Sequence, residues 1–244
     1  MKRPLNIAHR GASAIAPENT LPAFLLAEQL GADGVELDVL LCGSGELVVT
    51  HDDDLSILSN GCGRVRSTSL KTLKELDFGS HFSLTYAGEK IPTLQEVIDA
   101  LSKTTMINVE IKTVLPGHRK TVEAVAEIIS KNHLYDRVLV SSFDPLALRR
   151  LRSVDNKVRI GFLHNLRLPI SIIDRIFCTR AIDALHPDEQ LITEDYMAAA
   201  TRRGYAVNAW TVNSKERMIE LVNLGVDAII TDRPELLREI LDRS

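Results

Sequence analysis

Strand-like and helix-like patterns alternate along almost all of this chain, and that alternation leaves few folds open. Candidate strands, short and rich in β-branched residues, lie at Leu5–His9, Gly34–Val39, Leu47–His51, Met106–Lys112, Arg137–Ser142, Val158–Leu163, Ile182–His186, Ala206–Thr211 and Asp227–Thr231. Amphipathic helical patterns fall between most of them, at about residues 20–31, 93–103, 118–133, 144–153, 170–178, 193–203, 214–224 and 233–242. Thr193 with Asp195, Asn213 with Ser214, and Asp144 before Pro145 read as helix starts. Only LLCGSGE separates Gly34–Val39 from Leu47–His51, too little for a crossover helix but enough for an antiparallel hairpin. With the second hairpin strand set aside, eight strand–helix units remain, the arithmetic of a closed eight-stranded parallel β/α (TIM) barrel. A doubly wound open sheet fits less well, because the first turn is HRGAS and lacks a glycine-rich GxGxxG.

Residues 53–90 break the repeat. They are rich in Ser, Gly and Asp and too long for a plain loop, so they read as a small insertion after the second barrel strand. The whole chain, 1–244, then reads as one domain carrying that insertion. A net charge of −4 argues against nucleic acid as the main partner, although one positive pocket could still hold an anion. Cys42, Cys62 and Cys178 form no CxxC pair and suggest a reducing compartment. MKRPLNIAHRG has basic residues but no apolar run of signal-peptide length, and no segment approaches a membrane span. A cytoplasmic location without stable membrane insertion is therefore expected. Nothing in the sequence sets the oligomeric state.

Side chains two apart on a strand share a face. In GVELDV, Val35, Leu37 and Val39 should lie under the helices, while Glu36 and Asp38 point into the barrel. In INVEIK, Asn108, Glu110 and Lys112 point in. Taken alone, Glu36 and Asp38 also fit a solvated pair at a strand end. Adding Glu110 on the next barrel strand disfavours that, because three unpaired buried carboxylates would cost several kcal/mol each. Lys112 offers one positive charge, and a bound cation is the natural source of the rest. Oxygen-only ligation selects Mg²⁺ or Ca²⁺ over zinc.

Of seven histidines, His9 and His51 each end a candidate strand at the face where barrel enzymes keep their sites. Two imidazoles at one site can serve as a general base and a general acid. His164 and His186 also end strands and are weaker candidates for the site wall. Arg10 and Lys112 suit phosphate oxygens. Trp210, the only tryptophan, fits an apolar site wall or a core aromatic equally well. Asn19 or Thr20 reads as the cap of the first helix, with Glu18 free to steady Arg10.

The set AHRG, PENT, GVELDV, VVTHD, IPTLQEV, NVEIK, SSFD, AWTVN and GVDAIITDRP resembles, in order and over nearly the whole chain, the glycerophosphodiester phosphodiesterases of the phospholipase-C-like barrel group. The resemblance implies His9 as general base, His51 as general acid, and Glu36, Asp38 and Glu110 as metal ligands. It implies that Arg10 and Lys112 bind phosphate, that Trp210 lines the pocket, and that residues 53–90 are the family's insertion. The implied reaction splits a small glycerophosphodiester, such as glycerophosphocholine or glycerophosphoethanolamine, into sn-glycerol 3-phosphate and an alcohol. The turn CGSG and the run Ser56–Ser59 depart from the family pattern beside the insertion, where they bear on alcohol preference. Two other readings stand beside this one. A lysophospholipase D working at a membrane surface would need an exposed apolar patch or a basic amphipathic segment, and the sequence shows neither. A non-catalytic barrel that senses a phosphorylated metabolite is disfavoured by the full set of acids, bases and ligands.

Overall fold

Parallel pairing joins β1 (Leu5–His9) to β2 (Gly34–Leu41) on one side and to β9 (Ala228–Thr231) on the other, which closes the sheet on itself. Between β2 and β9 the ring continues through β4 (Met106–Ile111), β5 (Val138–Ser142), β6 (Arg159–His164), β7 (Ala184–Pro187) and β8 (Ala206–Ala209), all parallel. The result is the expected eight-stranded β/α barrel. β3 (Leu47–Val49) stands outside the ring as the antiparallel partner of β2, with Val39 opposite Val49. These features come from a computed structural model that describes residues 3–112, 118–176 and 182–243. Cys178 and the end of the helix expected over 170–178 lie outside the described residues.

The helices α1 (Leu21–Gln29), α4 (Leu94–Ala100), α5 (His118–Lys131), α6 (Pro145–Val154), α7 (Ile170–Ile176), α8 (Glu194–Thr201), α9 (Lys215–Leu224) and α10 (Pro234–Leu241) follow the barrel strands. Two short helices, α2 (Leu55–Leu58) and α3 (Leu70–Leu73), belong to the insertion. The start signals work as local chemistry: the side chains of Thr193, Ser214 and Asp144 accept from the backbone N–H of Tyr196, Arg217 and Leu146. Thr93 and Glu96 close a capping box at the start of α4.

Alternation along the strands sorts the side chains into two environments. Val35, Leu37, Val39, Ile107, Val109 and Ile111 are each at most 1 % exposed and pack with Phe24, Val122 and Val125 in the main core. Burial of such side chains, about 1.5–3 kcal/mol each, fixes the register and so forces Glu36, Asp38 and Glu110 inward. The insertion has its own small core, where Leu55, Val65, Leu73, Phe78 and Ile91 pack on Leu40, Cys42 and Val48 of the hairpin region.

Most strand ends differ by one or two residues from the sequence expectation, and two of the differences bear on the site. β2 runs two residues past Val39, because its last residues pair with β3 after β1 has ended opposite Glu36. β3 stops at Val49, so His51 lies in the loop beyond it rather than at a strand end. The two weaker histidine candidates also move. His186 is 1 % exposed inside the barrel, where its Nε2 accepts from Asn208 Nδ2 at 2.9 Å. Gly161 leaves room for that ring, since a Cβ there would collide with it. His164 is buried too, its Nε2 hydrogen-bonded to Tyr196 Oη at 2.9 Å.

Burial pushes the His186 imidazole down to about 3, with the nearby His164 adding to the effect. The folded protein therefore resists a proton that the unfolded chain accepts at about 6.5, and stability is lost as pH falls from about 6.5 towards 3. By about pH 4.5 the loss from this one group reaches about 3 kcal/mol. In urea unfolding across this range, His186→Gln should show a shallower acid dependence than the parent. An equal acid slope in both would assign the loss to other groups.

Candidate active site

The first barrel strand ends in a tight reversal that serves the site directly. Arg10 has a φ of +56° and Gly11 one of +84°, and a Cβ on Gly11 would lie 2.6 Å from the backbone carbon of Ala23. This turn swings the backbone N–H of Arg10 onto Glu36 Oε2 at 3.1 Å and its guanidinium Nε to 3.2 Å from Asp38 Oδ2. Glu18 accepts from Arg10 Nη1 at 2.8 Å, so the steadying contact expected of Glu18 is present.

Asn19 does something the sequence did not reveal. The helix cap is Thr20, while Asn19, with a φ of +57°, donates Nδ2 to Asp38 Oδ2 at 2.9 Å and accepts from the Asp38 backbone at 3.3 Å. A residue that fits a cap fits equally well as a carboxylate clamp, and local sequence cannot separate the two.

Glu36, Asp38 and Glu110 each offer an oxygen within 4.8 Å of the other two. All three are buried, and Lys112 Nζ sits 2.8 Å from Glu110 Oε1 and 3.4 Å from Asp38 Oδ1. The electrostatics differ within the trio. Burial pushes the Glu36 carboxyl up to about 8, and the Asp38 charge adds to the rise. Burial and Asp38 raise Glu110 as well. Burial acts against Asp38 too, but Lys112 and Arg10 outweigh it and hold Asp38 below the usual carboxylate range. Burial also works against charge on Arg10 and Lys112, yet the carboxylates beside them raise both.

The residues fit a hard divalent cation. Asp38 Oδ1 is buried without a hydrogen bond, and Arg10 and Lys112 bring two positive charges to three carboxylates. A donor set made only of oxygens matches Mg²⁺ or Ca²⁺.

His9 is locked on one side. Its Nδ1 lies 2.6 Å from Asp232 Oδ1, and Asp232 also accepts from Ser13 Oγ at 3.0 Å and Asn213 Nδ2 at 2.6 Å. An ionised carboxylate only accepts, so His9 Nδ1 carries a proton, and Nε2, 3.9 Å from Glu36 Oε2, is the nitrogen left to exchange one. Burial opposes charging this ring, but Asp232 and Glu36 overcome that and raise it above the ordinary histidine value. Asp232 follows the last barrel strand in IITDRP, and only its place beyond β9 hinted at a role.

His51, partly exposed, pairs Nδ1 with Asp52 Oδ2 at 3.2 Å and lies near enough for its charge to bear on Asp38. Trp210 packs beside Ile7 and Ile230 of the barrel interior and donates Nε1 to the His186 carbonyl at 2.7 Å. Phe143, unread in the sequence, meets the Trp210 ring edge to face at 5.3 Å.

The family model described as the glycerophosphoryl diester phosphodiesterase family matches residues 9–236. A glycerophosphodiester phosphodiesterase from Caldanaerobacter subterraneus is 37% identical, over 96% of this chain and 96% of its own length. Another, from Bacillus altitudinis, is 32% identical over 93% and 94%. An Oleispira antarctica phosphodiesterase, solved in complex with the product sn-glycerol-3-phosphate, superposes with a TM-score of 0.91 at 32% identity, covering 98% of this chain and 97% of that one. The enzyme from Thermotoga maritima superposes with a TM-score of 0.81 at 32% identity, over 98% and 100%. The match runs from the first site histidine into the last helix: the chain belongs to the glycerophosphoryl diester phosphodiesterase family.

Proposed function

We propose that this enzyme hydrolyses glycerophosphodiesters, such as glycerophosphocholine or glycerophosphoethanolamine, to sn-glycerol 3-phosphate and an alcohol. One observation carries the reading: three buried carboxylates stand between two cationic side chains, with an imidazole locked on Asp232 at their edge. The proposed unit is the whole chain, 1–244, with residues 53–90 as its insertion, working in the cytoplasm. Free Cys42 and Cys62 agree with a reducing compartment.

Glu36, Asp38 and Glu110 hold one divalent cation, Mg²⁺ or Ca²⁺, which when bound neutralises charge on the phosphoryl oxygens. Arg10 and Lys112 bind the same oxygens from the protein side, and Trp210 with Phe143 walls the pocket. The nucleophile's proton goes to His9 Nε2, the nitrogen left free by the Asp232 bond. As the new P–O bond forms and the P–O bond to the alcohol breaks, His51 Nε2 gives a proton to the leaving oxygen. Asp52 faces the other nitrogen of that ring, so the Nδ1 proton stays in place when the doubly protonated ring gives up the one on Nε2.

Positioned acid–base groups contribute about 10²–10⁴-fold each, so His9→Ala and His51→Ala should each lower kcat by about that factor. Thermal unfolding should show both variants still folded, and near-parental turnover in either would remove its assigned role. In a coupled assay for sn-glycerol 3-phosphate, EDTA should abolish product release and Mg²⁺ or Ca²⁺ should restore it. Activity indifferent to EDTA would overturn the cation assignment.

Asp232 is a positioning residue on this reading. Asp232→Asn should lower kcat by about 10²-fold and leave KM nearly unchanged. It removes a group that raises His9, so the acidic limb of the kcat/KM profile should move to lower pH. An unmoved limb would mean that Asp232 does not act through His9.

A further inference from the structure

The catalytic end of the barrel carries exposed apolar side chains on two arcs. One arc belongs to the insertion and the loop after β1. Leu84, 84 % exposed, sits in a short 3₁₀ turn spanning Leu84–Tyr86. Tyr86 donates Oη to the Ile15 carbonyl at 3.3 Å, and the Phe82 ring lies 5.9 Å from that of Tyr86. Phe82 and Leu84 of the insertion are thus brought towards Ile15 of the loop that begins with Arg10, and all three are exposed. The second arc follows β5 and β6, where Phe143, Leu146 and Leu166 are exposed at the same end of the barrel. This is the apolar patch that the sequence did not disclose.

The tip that presents Leu84 is firmly tied. Asp77 accepts from the backbone N–H of Gly79, Ser80 and Gly88 and from Ser80 Oγ, all between 2.6 and 2.9 Å. Its leucine is therefore held out in water by an ordered scaffold, which costs free energy unless something covers it.

We propose that these two arcs form a docking rim for a lipid surface, a bilayer or micelle that presents phosphodiester headgroups to the mouth. Three observations favour a lipid occupant. The rim borders the catalytic mouth, so a protein seated there would block the site, whereas a lipid layer would present headgroups that carry the same glycerol–phosphate–alcohol linkage as the soluble substrates. The patch is split, and neither arc of three side chains offers the about 800 Å² per partner of a stable protein interface. Leu84 is 84 % exposed, and a fluid acyl layer accepts such a side chain without a matching pocket. The contact is peripheral: among the described residues no helix is long and apolar enough to cross a membrane. Only the likeness of headgroup to substrate rests on the phosphodiesterase reading; the surface contact itself does not.

The test is co-sedimentation of the full chain with phosphatidylcholine vesicles at low and high salt, alongside turnover of soluble glycerophosphocholine. The parent should pellet with vesicles at both salt levels, as apolar contact requires. Leu84→Asp and, independently, Ile15→Asp should each reduce partitioning by roughly tenfold. Ile219→Asp, an equally acidic change on α9 at a side chain 42 % exposed, should leave it unchanged. Turnover of the soluble diester should match the parent in all three variants. A parent that stays in solution, binding that vanishes at high salt, or unaltered binding by Leu84→Asp would each overturn the proposal. Loss of self-association on Leu84→Asp in sedimentation velocity would overturn it in favour of a second copy of the chain. Absence of soluble turnover in the parent would count against the catalytic reading and leave the vesicle result to stand alone.

Discussion

Everything at the mouth of this barrel depends on balancing the charge of three acids taken out of water. Glu36, Asp38 and Glu110 are placed inward by the register of β2 and β4, which pairs Asp38 directly with Glu110. That register is set by the aliphatic side chains on the opposite face, so the acids cannot turn away without exposing the core. The structure answers with Arg10, Lys112 and Asn19, and leaves one Asp38 oxygen without a hydrogen bond. A cation site arises here as the remainder of an electrostatic problem that the protein's own groups solve only in part.

Arg10 shows how strongly that problem shapes the backbone. A left-handed conformation is costly for a residue with a Cβ, and Arg10 and Asn19 both adopt it within ten positions. The backbone N–H of Asn19 donates to the Arg10 carbonyl at 3.0 Å, so the two unusual conformations lie in one closed loop. Both residues also touch Asp38. The strain is thus concentrated where two side chains and a backbone amide must converge on acids of the neighbouring strand.

Most of the fold was legible because strand periodicity, turn length and cap residues all point the same way. The inward placement of Glu36, Asp38, Glu110 and Lys112 follows from a period of two and needs no tertiary knowledge. What was not legible depends on distance in three dimensions. Asp232 lies 223 positions from His9, and although closure of the barrel brings β9 beside β1, no local pattern singles out Asp232 as the partner of that imidazole. Asn19 satisfied a capping rule that its neighbour Thr20 in fact fulfils. His186 ended a strand in sequence but sits inside the barrel, where Gly161 leaves room for its ring, while His164 turns to the helix side and pairs with Tyr196 of α8. The exposed rim depended on how the insertion folds back onto the β1 loop, through a single Tyr86 contact that sequence spacing could not reveal.

The over-long β2 has a wider implication. By running past the end of β1 it supplies Leu40, part of the second, smaller core that also fixes the hairpin and the loop carrying His51. His9, by contrast, is seated by β1, β9 and the principal core. The segment leading to His51 is held by both cores, by Val49 in the principal one and by Val48 in the smaller one. The alignment of the two imidazoles depends on the smaller core as well as on the barrel, and softening at Leu73 or Phe78 would detune the pair.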